Sequence, residues 1–117
     1  MTMTVSDLIE RVTKATEGDR ELDREIMVAV FGEGTRHALP LPTYSSSVDA
    51  ALGLMERKLP GATWSRGIPY AHEAPAQISL WRELRRNHHE HLAVGHAPTV
   101  PLAIILATLH AIRSSSP

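Results

Sequence analysis

The sequence has no cysteine, few aromatic residues and no excess of basic charge. The absence of cysteine excludes disulfides, thiol catalysis and cysteine-ligated zinc sites. The aromatic residues are two Trp, two Tyr and one Phe, so we expect a core built mainly from aliphatic side chains. The formal net charge is −1, whereas a general nucleic-acid-binding protein normally carries a basic excess. We therefore expect no binding to DNA.

Long apolar runs are also scarce, and the one present lies at residues 100–112. At about 13 residues it is shorter than the roughly 18 that a membrane span needs. Its side chains are aliphatic or small on nearly every side, which predicts a helix buried in a soluble core or between subunits. Residues 1–7 show no basic segment followed by an apolar stretch, so we expect no signal peptide and a cytoplasmic location.

The length predicts a single domain over residues 1–117. Residues 6–31 have helical periodicity and predict an N-terminal helical segment, either continuous or broken at Gly18. Ser6 is the expected N-cap of this segment, and Gly32 and Gly34 are expected to end it.

The remainder, residues 44–113, predicts a helix, several short strands and a closing helix. The first helix is expected over 46–58, capped by a serine hydroxyl, with Ser46 and Asp49 spaced as in a capping box. The strands are expected at 62–66, 77–82 and 92–94, and Ile78 and Leu80 alternate with polar or larger residues as in a half-buried strand. The charged segment 83–91 is either a hairpin tip or a single helical turn. This order predicts an α+β fold, in which helices cover one or both faces of a small antiparallel sheet in an α/β/α sandwich-like arrangement.

The clearest basic cluster surrounds this charged segment. It contains Arg82, Arg85, Arg86, His88, His89 and His91. Such a cluster can bind phosphate, or it can simply be a solvated hairpin tip. The neighbouring Trp81 can stack on a nucleotide base or pack into the core, and the same two interpretations hold for Trp64.

Two further patterns favour structural interpretations over chemical ones. His88 and His91 would share a face of a helical turn and could bind Zn or Ni, but no cysteine or firm third ligand supports a metal site. The serines at 45–47 are better explained as helix caps than as nucleophiles, because no Gly-x-Ser-x-Gly elbow is present.

Both ends of the closing helix are candidate ligand sites. His96 and Thr99 precede its N-terminus, where free N–H groups can hold an anion, although Thr99 can equally act as the cap. Arg113 lies at the other end, where it can bind phosphate or interact with the helix C-terminus.

Three segments of the chain are similar to those of the small phage and prophage proteins called the phage ABA sandwich domain. They are Tyr44-Ser45-Ser46-Ser47-Val48-Asp49-Ala50-Ala51-Leu52, the Trp-bearing strand that follows, and Pro98-Thr99-Val100-Pro101-Leu102-Ala103-Ile104. Upstream, the segment 21–26 resembles the leading helix of that family, so the resemblance covers roughly residues 21–113. The chain departs from the family pattern at Ile105, where many members have Cys, and in its His-rich insert at 87–91.

The resemblance implies an anti-defence role. Members of this family include phage proteins that counter the Thoeris system by binding its cyclic ADP-ribose-type signal without cleaving it, and some also bind cyclic oligonucleotides. Some form dimers and hexamers. For this chain it implies a homo-oligomeric binding protein with no cofactor, no metal and no enzymatic activity. The alternatives are a phage protein that binds a host protein and a small hydrolase of the same signal. The expected ligand-binding residues are Arg24, Arg66, Trp81, Arg82, Arg85, His96, Thr99 and Arg113.

Overall fold

The computed structural model describes residues 4–67 and 76–115. They form four α-helices and a three-stranded antiparallel sheet, which confirms the expected α+β class. The elements are α1 (Val5–Lys14), α2 (Arg20–Phe31), a short 3-10 turn (Glu33–Thr35), α3 (Val48–Lys58), β1 (Ala62–Gly67), β2 (Ala76–Arg85), β3 (His88–Ala97) and α4 (Val100–Ser115).

The N-terminal helical segment is broken into α1 and α2 around Gly18, which was one of the two alternatives that the sequence predicted. Thr4 caps α1 in a capping box with Asp7, so the prediction of Ser6 as the cap was wrong and Ser6 lies inside the helix. Asp19 caps α2 by accepting a hydrogen bond from the backbone N–H of Leu22 at 2.7 Å. The break has a tertiary cause: a side chain at Gly18 would overlap the backbone carbonyl of Ser45, which packs against it.

The start of α3 agrees with the expected serine cap. Ser47 is the capping residue, and its hydroxyl accepts from the backbone N–H of Ala50 at 3.2 Å. The capping box expected from Ser46 and Asp49 does not form, because the cap lies one residue later. The apolar side chains Ala51, Leu54 and Met55 then face the core.

The sheet has the order β1-β2-β3, and its strands are longer than the sequence predicted. Segment 83–91 is the tip of the β2–β3 hairpin, so the alternative of a helical turn was wrong. The hairpin reverses at Arg86 and Asn87, where Asn87 has φ 65°, a left-handed conformation that asparagine tolerates better than most residues. Ile78 and Leu80 are fully buried on β2, as expected.

The closing helix α4 is the centre of the core. The side chains of Leu102, Ala103, Ile104, Ile105, Ala107 and Leu109 are fully buried. One side of α4 packs on β2 and β3, and the other sides contact α1 and α3. The apolar run therefore forms a core helix within a single chain, which was one of its two predicted roles.

Gly95 on β3 lets α4 approach the sheet closely. A Cβ at this position would overlap the backbone carbonyl of Ala103 and the backbone nitrogen of Ala107. The layers therefore run from the sheet to α4 and then to α1 and α3. Among residues 4–67 and 76–115 the helix that packs extensively on the sheet is α4, so the helices cover mainly one face, which is one of the two arrangements that we expected.

Candidate functional site

A groove lies between the β2–β3 hairpin and the C-terminal end of α4. Its volume is about 180 Å³. It is lined by Leu59, Arg82, Glu90, His91, Leu92, Ala111 and Ser114. We call it the hairpin groove. It combines polar and charged groups with an apolar floor, and it brings predicted site residue Arg82 next to the end of α4 that carries Arg113.

Strand alternation explains why Arg82 borders this groove. Ile78, Leu80 and Arg82 point to the same face of β2, and Ile78 and Leu80 are buried under α4. At Arg82 the same face is exposed. An arginine in this position can reach an anion in the groove while its strand remains fixed by pairing with Glu90 on β3.

Trp81 lies on the opposite face of the sheet, because it is adjacent to Arg82 in a strand. Its indole Nε1 donates to the Ser65 hydroxyl at 3.0 Å. Its ring meets that of His91 edge-on, with centroids 4.8 Å apart and an angle of 69° between the planes. The structure therefore separates Trp81 from Arg82, although His91 contacts the indole and also lines the groove.

Arg113 is exposed at the end of α4 and interacts with a histidine one turn earlier. Its Nη2 lies 3.2 Å from Nδ1 of His110. Partial burial lowers the pKa of His110, and the positive charge of Arg113 lowers it further. His110 is thus held neutral, and sequence reasoning missed it. Its position three residues before Arg113 on a predicted helix was the available signal.

The other predicted ligand residues lie away from the groove. Arg85 is exposed near the hairpin tip, where it pairs with His88. Arg66 is exposed on β1 and lies opposite Ile78 on β2. Arg24 donates from Nη1 to the carbonyl oxygens of Thr35 at 3.1 Å and Ala38 at 2.8 Å, so it braces the segment after α2.

His96 and Thr99 lie near the opposite end of α4. The Thr99 hydroxyl accepts from the backbone N–H of Leu102 at 3.4 Å, which is the capping role that was the alternative to anion binding. His96 is exposed on β3, where it pairs with Gln77. Because α4 has 16 residues, its two ends are about 24 Å apart at 1.5 Å per residue. One compact ligand cannot contact both ends within one chain.

Strand geometry also separates the histidines of the insert. His88 and Glu90 alternate with His89 and His91 along β3, so neighbouring side chains project to opposite faces. Across residues 4–67 and 76–115, no group of three or more His, Asp and Glu side chains is arranged to hold a metal ion.

The three consecutive serines have separate structural positions. Ser45 is fully buried, and its hydroxyl donates to Oδ1 of Asp23 at 2.5 Å. Ser47 caps α3, and Ser46 is exposed. Since Ser45 has no access to solvent, it cannot act as a nucleophile on a bound molecule.

A second cavity, of about 240 Å³, lies beside α3. It is lined by Pro42, Tyr44, Ala50, Gly53, Leu54 and Arg57. We call it the Tyr44 cavity. Sequence reasoning used Tyr44 only as part of a motif and did not consider Arg57. The spacing of Ala50, Leu54 and Arg57 along one side of a predicted helix was the signal that could have found it.

Comparison with known proteins identifies no relative: no family model, no curated protein and no solved structure matches the chain. None of the helices within residues 4–67 and 76–115 combines the length and the hydropathy required to cross a membrane.

Proposed function

We propose that this protein binds a cyclic nucleotide signal of the ADP-ribose type and holds it without cleaving it. The observation that carries the proposal is the hairpin groove, where Arg82 lies beside the end of α4 that carries Arg113. Guanidinium groups match the geometry of phosphate oxygens and can bind them through paired hydrogen bonds. The similarity of segments 44–52 and 98–104 to the phage ABA sandwich domain supports the same function.

The local electrostatics set a requirement for this site. The C-terminal end of α4 carries partial negative charge, and Glu90 also lines the groove, so both oppose an anion there. Binding of a diphosphate therefore requires the positive charge of Arg82, which lines the groove, and we propose that Arg113, next to the lining residue Ser114 in the sequence, supplies a second positive charge at this end of α4. We expect affinity to depend on both arginines and to fall with rising salt concentration.

The size of the groove implies that one copy encloses only part of the ligand. Its volume of about 180 Å³ is below the roughly 300–1,000 Å³ of sites that enclose a drug-sized molecule. We propose that a second copy of the chain covers the remaining ligand surface, which agrees with the homo-oligomer that the resemblance implies. Native mass spectrometry with and without ligand measures this directly.

Isothermal titration calorimetry with cyclic ADP-ribose isomers tests the proposal. We expect saturable binding to the wild-type protein and a loss of about tenfold or more in affinity for Arg82→Gln, because a charge-assisted hydrogen bond is removed. Arg36→Gln is the matched control, since Arg36 pairs with Glu33 outside the groove. Absence of binding for every isomer would overturn the proposal.

The fate of the ligand separates sequestration from catalysis. After incubation the protein is denatured, and the released small molecule is analysed by mass spectrometry. We expect recovery of the intact cyclic nucleotide in proportion to the protein. Recovery of a linear, hydrolysed product instead would show that the protein is a hydrolase of the signal.

A further inference from the structure

A tyrosine hydroxyl borders the Tyr44 cavity. Tyr44 as a whole is 4% exposed and lines the cavity. Its hydroxyl makes no hydrogen bond within residues 4–67 and 76–115. The buried unpaired side-chain atom among these residues is Oε2 of Glu25, so the Tyr44 hydroxyl is accessible from the cavity. An accessible hydroxyl at a cavity wall can donate a hydrogen bond to a molecule bound there.

Arg57 supplies a positive charge at the same cavity. Its guanidinium carbon lies 4.6 Å from the centroid of the Phe31 ring. A guanidinium carries five N–H donors, and contact with an aromatic ring does not use them in hydrogen bonds to an acceptor. Arg57 has no carboxylate partner among the described residues. Its donors can therefore bind an anion.

Tyr44 and Arg57 interact electrostatically. Burial raises the pKa of the Tyr44 hydroxyl, and the positive charge of Arg57 partly opposes this increase. At neutral pH the hydroxyl is therefore protonated and available as a donor. The Tyr44 cavity is thus lined by a neutral O–H donor, from Tyr44, and by a permanent positive charge, from Arg57.

The rest of the cavity is apolar and open on one side. Pro42, Ala50 and Leu54 provide aliphatic surface. Gly53 leaves additional room, because a Cβ built on it meets no atom within 4 Å. The volume of about 240 Å³ suits a molecule with one ring or a short aliphatic body and is too small to enclose a nucleotide.

We propose that the Tyr44 cavity is a binding site for a small organic carboxylate with an apolar body. The carboxylate accepts hydrogen bonds from the Arg57 guanidinium and the Tyr44 hydroxyl, and the apolar body packs against Leu54 over Gly53. This site is separate from the hairpin groove and does not depend on the function proposed for that groove.

NMR titration of the ¹⁵N-labelled full chain with benzoate tests this proposal, with benzamide as the uncharged analogue of the same shape. We expect saturable shifts of the backbone amides of Gly53, Leu54 and Arg57 with benzoate. We expect the affinity for benzamide to be lower by about tenfold or more, because benzamide cannot form the charge-assisted pair with Arg57.

Four variants locate the binding. Arg57→Gln and Tyr44→Phe should each weaken benzoate binding by about tenfold, because each removes a donor. Lys58→Gln is the matched control: its ammonium also lies over Phe31, at 4.9 Å, but Lys58 does not line the cavity. Gly53→Leu should abolish binding by filling the open side, while its thermal unfolding remains cooperative.

Three results would overturn the proposal. The first is the absence of saturable shifts with benzoate at millimolar concentrations. The second is equal affinity for benzoate and benzamide, and the third is unchanged affinity in Arg57→Gln. Benzoate binding that is lost in Arg82→Gln but kept in Arg57→Gln would place the ligand in the hairpin groove and would equally exclude the Tyr44 cavity.

Discussion

Arg113 donates from Nη2 to Nδ1 of His110, with 3.2 Å between the two nitrogens. The imidazole must be neutral for this bond, with its own proton on Nε2, because a protonated ring has no acceptor. Partial burial and the charge of Arg113 both lower the pKa of His110. Protonation of His110 would break the bond and place two positive charges one turn apart on α4.

This pair predicts that stability falls in mild acid. The pKa of His110 lies below its usual value of 6.5, so the unfolded chain takes up the proton first as pH decreases. Its contribution to stability is therefore complete above 6.5 and is lost as pH falls through the folded-state pKa. Urea unfolding from about pH 7.5 to about pH 5 should show a shallower decrease for His110→Gln than for wild type. His37→Gln, at an exposed position, is the control, and equal slopes for wild type and His110→Gln would contradict the prediction.

Glu25 predicts the opposite pH dependence of stability to that of His110. Burial is the main cause of its raised pKa, Arg11 opposes it, and Glu21 and Asp19 add to it. A carboxyl whose pKa is raised in the fold contributes stability below the unfolded value of 4.5 and loses it as pH rises through the folded-state value. We expect Glu25→Gln to increase the free energy of unfolding at neutral pH by less than about 1 kcal/mol. A decrease measured by urea unfolding would show that the ion pair with Arg11, at 3.5 Å, outweighs the cost of burial.

Asp23 and Ser45 form a buried network that fixes the entry to α3. Oδ1 of Asp23 accepts from the backbone N–H and the hydroxyl of Ser45, and Oδ2 accepts from Arg20 at 2.8 Å. Asp23→Asn should cost about 3 kcal/mol, because it removes the charge that three donors share. Ser45→Ala should cost about 1–2 kcal/mol.

The exposed Ser46→Ala is the matched control for this network, and we expect it to change the free energy of unfolding by less than about 0.5 kcal/mol. Chemical denaturation of the three variants provides the measurement. If Ser45→Ala were as stable as Ser46→Ala, the network would contribute nothing to the fold.

Gly95 and Gly53 predict opposite responses to the same added methyl group. Gly95→Ala should destabilise by about 3 kcal/mol or more, because the methyl group meets the backbone of α4 at Ala103 and Ala107. Gly53→Ala should stabilise by up to about 1 kcal/mol, because the position is helical and unobstructed. Thermal unfolding of both variants gives the comparison, and a destabilised Gly53→Ala would show that the open space beside α3 is filled in solution.

Local sequence patterns predicted the helices and strands in which buried and exposed side chains follow a regular pattern. The run from Val100 to Ile112 was identified as a buried helix because it has no polar face. Ile78 and Leu80 were assigned to the buried face of a strand because they alternate with Ser79 and Trp81. A hydrophobic pattern could not predict the first part of β3, because His88 to His91 are all exposed although they pair with β2. Backbone hydrogen bonding in a hairpin extends beyond the core and leaves no hydrophobic pattern.

The candidate site was less predictable because it depends on long-range contacts. Strand alternation alone indicates that Trp81 and Arg82 face opposite sides, yet both were expected to bind one ligand. Arg24 was assigned to ligand binding, but its guanidinium holds the carbonyls of Thr35 and Ala38, which no local pattern shows. The Tyr44 cavity brings Pro42 and Tyr44, which precede α3, next to Arg57 near the end of α3, and no local pattern shows this juxtaposition.

The position of α4 in the chain affects how the protein forms during synthesis. The apolar surfaces of α1, α3 and the sheet all pack against α4, although α4 comes after every one of them in the sequence. A nascent chain that has emerged as far as Ala97 therefore has no partner for those surfaces. The core closes only after translation has passed α4, so the growing chain exposes hydrophobic surface to chaperones and to other nascent chains until then.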